Sequence, residues 1–261
     1  MSHRFVLTPF FLDEFQGGLL PVAGACWDVN MPELPAGDAQ SRIVSLLRPL
    51  RSRVAEAAAA GAVPVSLAGD CVSCIGVEAG LQTAGLEPVL VWLDAHGDFN
   101  TPSTTPSGFL GGMPLAMIVG RGDQAIMEGV GTTTLDERDV ILSDARDLDP
   151  GERGALAGSN VNHLASFDEL LTLPLPDRPL HVHFDTDVID PEQAPAMNYP
   201  APGGPSADTV RAVFRRLAQS GRVAAVSVSS WNPDLDQDGR TRRLVMDLLS
   251  ELAPEPPEST S

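Results

Sequence analysis

The sequence contains no lysine, and arginine supplies all 17 of its basic residues. Without an ε-amine the chain cannot form a pyridoxal Schiff base, carry a P-loop lysine or use a Ser–Lys catalytic pair. Carboxylates are plentiful by contrast, because 35 Asp and Glu residues give a formal net charge of −18. This excess of negative charge argues against a nucleic-acid partner, since few cations are present to neutralise phosphates. It suits a hard cation or a cationic substrate instead.

The sequence also has few cysteines and no long apolar run. Its three cysteines, Cys26, Cys71 and Cys74, are too few for a disulfide framework, and their odd number is typical of a reducing compartment. No run of 18 apolar residues occurs, which excludes a transmembrane helix. The first apolar stretch is interrupted by Pro9 and Asp13, which indicates a strand rather than a signal peptide. We therefore expect a cytoplasmic protein without a membrane partner.

Short apolar runs alternate with helical patterns along most of the chain. This alternation is typical of an α/β domain, and near-continuous Val and Leu runs are typical of parallel strands covered on both faces. We predict a single domain over residues 1–252 with a three-layer α/β/α fold and a mainly parallel central sheet, then a disordered tail over 253–261. The predicted strands are 4–7, 62–67, 88–96, 139–146, 180–188 and 223–231, and the predicted helices are 38–60, 71–84, 112–119, 206–220 and 240–252.

Two segments place ligand-type side chains at the ends of predicted strands. They contain Asp94, His96 and Asp98 in the first and Asp185 and Asp187 in the second. In each segment these side chains recur at every second residue, so an extended chain directs them to one side. Crowded carboxylates repel one another unless cations neutralise them. The two segments together predict two divalent metals, and oxygen-rich donors with an imidazole favour Mn²⁺.

Each segment also has a structural interpretation. Aspartates that end strands commonly form turns or cap helices, and either segment alone is explained equally well in that way. Two further histidines, His181 and His183, precede the second segment and alternate with apolar residues. This pattern predicts that they lie in the core or support the ligands, rather than bind a metal themselves.

These motifs resemble those of the arginase/agmatinase/formimidoylglutamase family, the ureohydrolases. The family's Gly-Gly-Asp-His motif resembles Ala-Gly-Asp-Cys at 68–71, its Asp-Ala-His-x-Asp matches 94–98, and its Asp-x-Asp-x-x-Asp-Pro matches 185–191. The resemblance implies an arginase-like fold, two Mn²⁺ per subunit, and hydrolysis of a guanidine or amidine C–N bond by a hydroxide that bridges the metals. It assigns metal A to Cys71, Asp94, Asp98 and Asp185, and metal B to Asp94, His96, Asp185 and Asp187.

The resemblance also implies roles around the metals. Asp98 becomes the catalytic residue, which orients the hydroxide and carries a proton to the leaving amine. Two loops resemble those with which arginases hold an amino acid, although ordinary turns would explain them as well. Oligomers are usual in the family, which implies a homotrimer or homohexamer. The implied substrate is a small amino acid. The residues that this implies for substrate binding are Asn100, Thr105 and Ser107 for the α-carboxylate, and Asp149, with Glu152 as a second candidate, for the α-ammonium.

Three positions depart from the family pattern. Cys71 replaces a metal-A histidine, and its softer donor predicts a weakly held metal A or its replacement by Zn²⁺ or Fe²⁺. Gly111 stands where arginases carry a histidine, and Ser230 replaces the glutamate that grips the guanidinium. The first two changes are similar to the Nω-hydroxyarginine hydrolase branch, although that branch keeps the glutamate. Ser230 favours a less basic substrate, such as an N-hydroxyguanidine or a formimino group.

Two other classes of function are compatible with parts of the sequence. A non-catalytic relative could bind a metal or an amino acid, as the loss of a glutamate and a histidine suggests. A thiol-redox protein would use Cys71 and Cys74 as a C-x-x-C pair, because a helix N-terminus lowers the pKa of a thiol. In a milder form of this hypothesis, a disulfide between them removes a metal-A ligand and switches the enzyme off.

Overall fold

The computed structural model describes residues 2–254, and an eight-stranded sheet forms its centre. Every pair of neighbouring strands in this sheet is parallel. The strands are β1 (His3–Thr8), β2 (Phe10–Phe11), β3 (Glu14–Phe15), β4 (Asp28–Val29), β5 (Val63–Ala68), β6 (Val89–His96), β7 (Val140–Asp147), β8 (Asn162–Leu164), β9 (Leu180–Asp185) and β10 (Val223–Ser229). The order in the sheet is β4-β1-β5-β10-β9-β6-β7-β8, while β2 and β3 form a separate antiparallel hairpin.

Helices cover both faces of the sheet. They are α1 (Ala39–Ala59), α2 (Ser73–Thr83), α3 (Pro114–Ile118), α4 (Ala125–Val130), α5 (Pro150–Ala157), α6 (Ala207–Gln219) and α7 (Arg240–Leu252). Helices α1, α2 and α4 pack together in one hydrophobic core, and α6 and α7 contribute to a second core on the other face. The predicted three-layer α/β/α fold with a parallel sheet is therefore confirmed.

Local sequence signals explain where the main elements begin and end. Asp38 caps α1 by accepting a hydrogen bond from Ser41 N at 2.8 Å. The chain leaves α1 at Gly61, whose φ of +74° suits a residue without a Cβ. Strands β5 and β9 are buried at every residue, as expected for central strands covered on both faces.

The structure differs from the predicted elements in several places. Strand β9 ends at Asp185, and residues 186–188 form a 3₁₀ turn because the Asp185 side chain accepts a hydrogen bond from Asp187 N. The sequence did not predict α5, whose start at 149–151 has the composition of a turn, nor α4, β4 and β8, which are short. Ala253 lies in the predicted tail but is buried in the core, and residues 255–261 lie outside the described residues.

The order of the strands determines where chemistry is possible. Strands β5, β10, β9 and β6 are neighbours, so their carboxyl ends meet at one edge of the sheet, where ligands of open α/β sheets bind. Within residues 2–254, no helix combines the length and the apolar character that crossing a membrane requires.

Candidate metal centre and active site

Four neighbouring strands deliver polar side chains to one cavity of about 380 Å³ at the carboxyl edge of the sheet. Cys71 follows β5, His96 ends β6, Asp185 ends β9, and Ser230 follows β10. The two sequence clusters, about 90 residues apart in the chain, therefore meet in space as the parallel topology requires.

One group of possible metal ligands consists of Cys71, Asp94, His183 and Asp185. One donor atom of each lies within 4.8 Å of the others, and all four residues are buried. The Cys71 thiol donates a hydrogen bond to Asp185 Oδ2 at 2.7 Å. Three of these residues are those predicted for metal A. The fourth is His183, where the prediction had Asp98, so a histidine expected only to support the site lies among its donors.

A second group consists of Asp94, His96 and Asp187, which are three of the residues predicted for metal B. His96 Nδ1 lies 3.0 Å from Asp187 Oδ2 and 3.4 Å from Asp94 Oδ1. Burial lowers the pKa of His96, but the hydrogen bonds to these carboxylates outweigh it and raise the pKa to about 12. A protonated imidazole therefore holds the two carboxylates together when no cation does. Asp185, predicted to bridge both metals, is not part of this group.

Asp98 lines the same cavity, and one of its carboxylate oxygens has no hydrogen-bond partner in the part of the chain that the structure describes. Its backbone has a φ of +47°, a left-handed conformation that is uncommon for an aspartate. Its Oδ2 is buried and has no hydrogen-bond partner among residues 2–254. Desolvation, followed by the charges of Asp94 and Asp185, raises the pKa of Asp98 well above its ordinary value. An unpaired carboxylate oxygen beside two groups of oxygen, nitrogen and sulfur donors is what divalent cations would satisfy, so these residues fit a binuclear metal centre.

The predicted amino-acid-binding residues also line this cavity. Asn100 Nδ2 donates a hydrogen bond to Asp149 Oδ2 at 3.0 Å, which joins the residue predicted for the α-carboxylate to the one predicted for the α-ammonium. Thr105 Oγ1 and Ser107 Oγ shape the same loop by accepting hydrogen bonds from the backbone N–H groups of Gly108 and Phe109. These residues therefore offer both hydrogen-bond donors and an acceptor to a substrate in the cavity.

The side chains of two predicted substrate-binding residues form hydrogen bonds with other residues of the protein. Glu152 is buried, and its carboxylate accepts hydrogen bonds from Phe99 N at 2.8 Å and Asp149 N at 3.1 Å. It thus fixes the backbone beneath the cavity. Ser230 has a φ of +69°, and its hydroxyl donates to Asp185 Oδ2. Ser230 therefore stabilises a proposed metal ligand.

Phe11 and Phe109, which line the cavity, were missed in the sequence, and so was the position of His183 among the donors. The ring of Phe109 covers Gly111, where an added Cβ would lie 2.4 Å from it, and the ring also contacts Phe11 and Tyr199. These three rings come from distant segments, so no sequence pattern could have grouped them. His183 could have been found, because its spacing of two residues from Asp185 is the spacing that identified the other ligands.

Both cysteines of the C-x-x-C pair are buried thiols. Burial raises the pKa of Cys71 and Cys74 well above the ordinary thiol value, and nearby carboxylates add to this effect. This is opposite in direction to the lowered pKa on which the redox hypothesis depends. Cys71 lies with metal-type donors and Cys74 packs at 3.8 Å from the Ser227 hydroxyl, so the structure does not favour a thiol-redox site here.

Comparisons with known proteins agree with this geometry. The model of the "Arginase family" matches residues 23–253. An arginase of Agrobacterium fabrum is 36% identical over 228 residues, which cover 80% of this chain and 69% of the relative. An arginase of Brevibacillus brevis is 30% identical over 80% of this chain and 75% of the relative.

Solved structures show the same fold. The arginase of Bacillus subtilis superimposes with a TM-score of 0.82 at 24% identity, over 98% of this chain and 100% of that one. The formimidoylglutamase of Bacillus subtilis superimposes with a TM-score of 0.71 at 17% identity, over 97% and 86% of the two chains.

Proposed function

The chain belongs to the arginase family and is a hydrolase of carbon–nitrogen bonds in linear amidines, and from this premise we propose that its substrate is a guanidino or amidino amino acid. One observation supports the proposal most strongly. Two groups of donors share Asp94 at the edge of the sheet, and the unpaired carboxylate oxygen of Asp98 lies in the same cavity.

The proposed metal ligands keep their predicted assignment. Cys71, Asp94, Asp98 and Asp185 would hold metal A, and Asp94, His96, Asp185 and Asp187 would hold metal B. Divalent cations held by these residues would supply hydroxide near neutral pH and would polarise the amidine C=N bond. The group at metal B, with its oxygen atoms and one imidazole, supports Mn²⁺ there.

We assign proton transfer to Asp98. Its Oδ2 is buried and has no hydrogen-bond partner among residues 2–254, so this oxygen is available to a proton of the reaction. From this position Asp98 orients the attacking oxygen, accepts its proton and passes the proton to the leaving nitrogen. No covalent intermediate with the protein is required.

The amino-acid end of the substrate would lie against the loop that follows β6. Asn100, Thr105 and Ser107 offer hydrogen-bond donors to an α-carboxylate, and Asp149 offers an acceptor to an α-ammonium. The hydrogen bond between Asn100 and Asp149 supports this assignment, because it places the two binding groups side by side. Agmatine lacks the carboxylate and should therefore bind more weakly than an amino acid.

The reacting end would accept a less basic group than a guanidinium. Ser230 places a neutral hydroxyl where the family pattern has a glutamate. This hydroxyl already donates a hydrogen bond to Asp185. The aromatic ring of Phe109 covers Gly111, where the pattern has a histidine. The change at Ser230 removes the carboxylate that a charged guanidinium would use, and the change at Gly111 removes a histidine that assists proton transfer in arginases. We therefore favour an Nω-hydroxyguanidine or a formimino amino acid over arginine.

A panel of substrates tests this proposal. Metal-loaded protein is incubated with arginine, Nω-hydroxyarginine, agmatine and formiminoglutamate, and products are identified by mass spectrometry. We expect cleavage of one of the amino acids and not of agmatine, and no cleavage by the Asp98→Asn variant. Protein that binds two metals and cleaves none of the four would instead support a non-catalytic relative.

The oligomeric state and the cytoplasmic location remain predictions. The family resemblance supports a homotrimer or homohexamer. Sedimentation velocity of the metal-loaded chain at micromolar concentration would measure this state directly.

A further inference from the structure

His183 is held in one orientation behind the proposed metal A. It lies on β9, two residues before Asp185, and is completely buried. Its ring packs on the indole of Trp92 with 3.9 Å between the ring centroids, and Trp92 Nε1 donates to Asp94 Oδ2 at 3.0 Å. A metal-binding imidazole is neutral, with a hydrogen on one ring nitrogen and a lone pair on the other.

A buried chain of hydrogen bonds decides which nitrogen that is. Glu78 Oε1 lies 2.5 Å from His181 Nδ1, and because a carboxylate only accepts, His181 carries a hydrogen on Nδ1. When this is the only hydrogen on the ring nitrogens, His181 Nε2 accepts from the Ser227 hydroxyl, which lies 2.9 Å away. The Ser227 oxygen in turn accepts from His183 Nδ1 at 2.8 Å. His183 therefore carries its hydrogen on Nδ1, and the lone pair lies on Nε2.

The Nε2 atom of His183 faces the donors of metal A. It contacts Ser229 Oγ at 3.4 Å, which is a long and weak hydrogen bond. The same Ser229 hydroxyl lies 3.1 Å from Cys71 Sγ and 3.3 Å from Asp185 Oδ2. The three donor atoms thus surround one hydroxyl, and a cation bound to them would take over its contacts.

We propose that His183 is itself a ligand of metal A, and that the chain from Glu78 through His181 and Ser227 fixes the tautomer that ligation requires. This inference rests on the proposed function, which places a cation at metal A. The imidazole lost from position 71 is then supplied by a different strand. A hydrogen-bonded carboxylate behind a metal-bound histidine is a common arrangement, because it orients the ring and increases its basicity.

The donor set has a consequence for the choice of metal. A thiolate and an imidazole beside carboxylates bind Zn²⁺, Co²⁺ or Fe²⁺ better than Mn²⁺. The other group, around His96, contains no sulfur. We therefore expect the two sites to differ in the ion that they prefer, with metal A a more thiophilic ion than metal B.

The His183→Asn variant tests the proposal. The asparagine amide can still donate to Ser227 from the position of Nδ1, but the variant lacks Nε2. We expect titration with Co²⁺ to give two ions per wild-type chain and a thiolate-to-cobalt charge-transfer band. In the variant this band should need at least about tenfold more Co²⁺, while the second ion binds as before. The matched control His163→Asn changes an exposed histidine and should bind Co²⁺ as the wild type does. Equal Co²⁺ affinities in His183→Asn and wild type would overturn the assignment.

A second measurement does not depend on replacing a buried residue at position 183. The His96→Asn variant removes the imidazole of metal B, and X-ray absorption of its zinc-loaded form counts the ligands that remain. We expect one sulfur and one imidazole on the same ion. Sulfur without imidazole would overturn the proposal. Neither measurement uses a substrate, so a chain that binds both ions but cleaves no amidine would contradict the proposed function alone.

Discussion

At the residue scale, the buried carboxylates of the site have too few positively charged neighbours, and a bound cation would supply the missing positive charge. Asp98 and Asp187 are both buried, and desolvation with neighbouring carboxylates raises the pKa of each. His96 offsets part of this charge by its own protonation. Metal binding must therefore displace protons, and the affinity for metal should increase with pH.

Removing the unpaired carboxylate tests the role of Asp98. We expect Asp98→Asn to lower kcat by about 100-fold or more, because an amide cannot take up and release the proton. The thermal melting temperature of the metal-free variant should not fall, since the variant removes a buried acid from a cluster of acids. Asp123→Asn, on the exposed surface, is the control and should keep wild-type kcat. A kcat of Asp98→Asn within threefold of the wild type would contradict the assignment.

Most of the proposed ligands were visible in the sequence because they follow a simple rule. Side chains at every second residue of a strand end share one side, and this rule identified Asp94, His96 and Asp185. It also applied to His183, but the apolar neighbours of that residue indicated a core position. The backbone conformation of Asp98 and the hydrogen bond from Ser230 to Asp185 depend on the folded loops, so no sequence pattern predicts them.

At the scale of elements, the long buried strands were predicted well, whereas short elements and a helix that begins with a turn-like sequence were not. The six apolar runs correspond to β1, β5, β6, β7, β9 and β10, because burial on both faces leaves a continuous apolar signal. Helix α5 was missed because its first residues, Asp149-Pro150-Gly151, also form a common turn. Its capping box with Glu152 becomes recognisable once the helix is known.

Two glycines in helices provide a matched test of packing. An alanine Cβ at Gly80 would lie 2.5 Å from Val54 Cγ1, where α2 crosses α1, whereas the one at Gly154 of α5 would meet no atom within 4 Å. We expect Gly80→Ala to lower the free energy of unfolding by about 1–3 kcal/mol through overpacking. Gly154→Ala should raise it by about 0.5–1 kcal/mol, because alanine favours a helix. Urea denaturation measures both, and a stabilised Gly80→Ala variant would disprove the close packing of α1 on α2.

At the scale of the whole molecule, the fold concentrates negative charge at one edge of the sheet. Four adjacent parallel strands end there, so carboxylates from distant parts of the chain face one another. The fold class followed from the alternation of strands and helices. The substrate did not follow from the sequence, because it depends on how loops such as 99–110 enclose the cavity. It also depends on three aromatic rings that only the tertiary structure brings together.

This concentration of charge predicts how stability depends on pH. Asp98, Asp187 and His96 all have raised pKa values, so the folded state binds more protons than the unfolded state. Stability should therefore fall as pH rises above 6.5. Between about 3 and 6.5 the lowered pKa of His183 acts in the opposite direction, because only the unfolded state protonates this histidine there.

Thermal melting of the metal-free chain between pH 6.5 and 9 checks this dependence. We expect the melting temperature to decrease across this range, and the increase on adding a divalent metal to be larger at the higher pH, since the metal replaces the bound protons. A melting temperature that rises with pH would mean that the cluster does not carry the proposed charges.

The central claim is that this edge of the sheet is a binuclear metal site that hydrolyses amidines. A titration of metal-free protein with Mn²⁺ or Zn²⁺, with amidine hydrolysis measured at each addition, tests it most directly. The account predicts no activity without metal and an activity that increases until two ions are bound per chain. Equal activity in the metal-free chain, or full activity at one ion per chain, would contradict it.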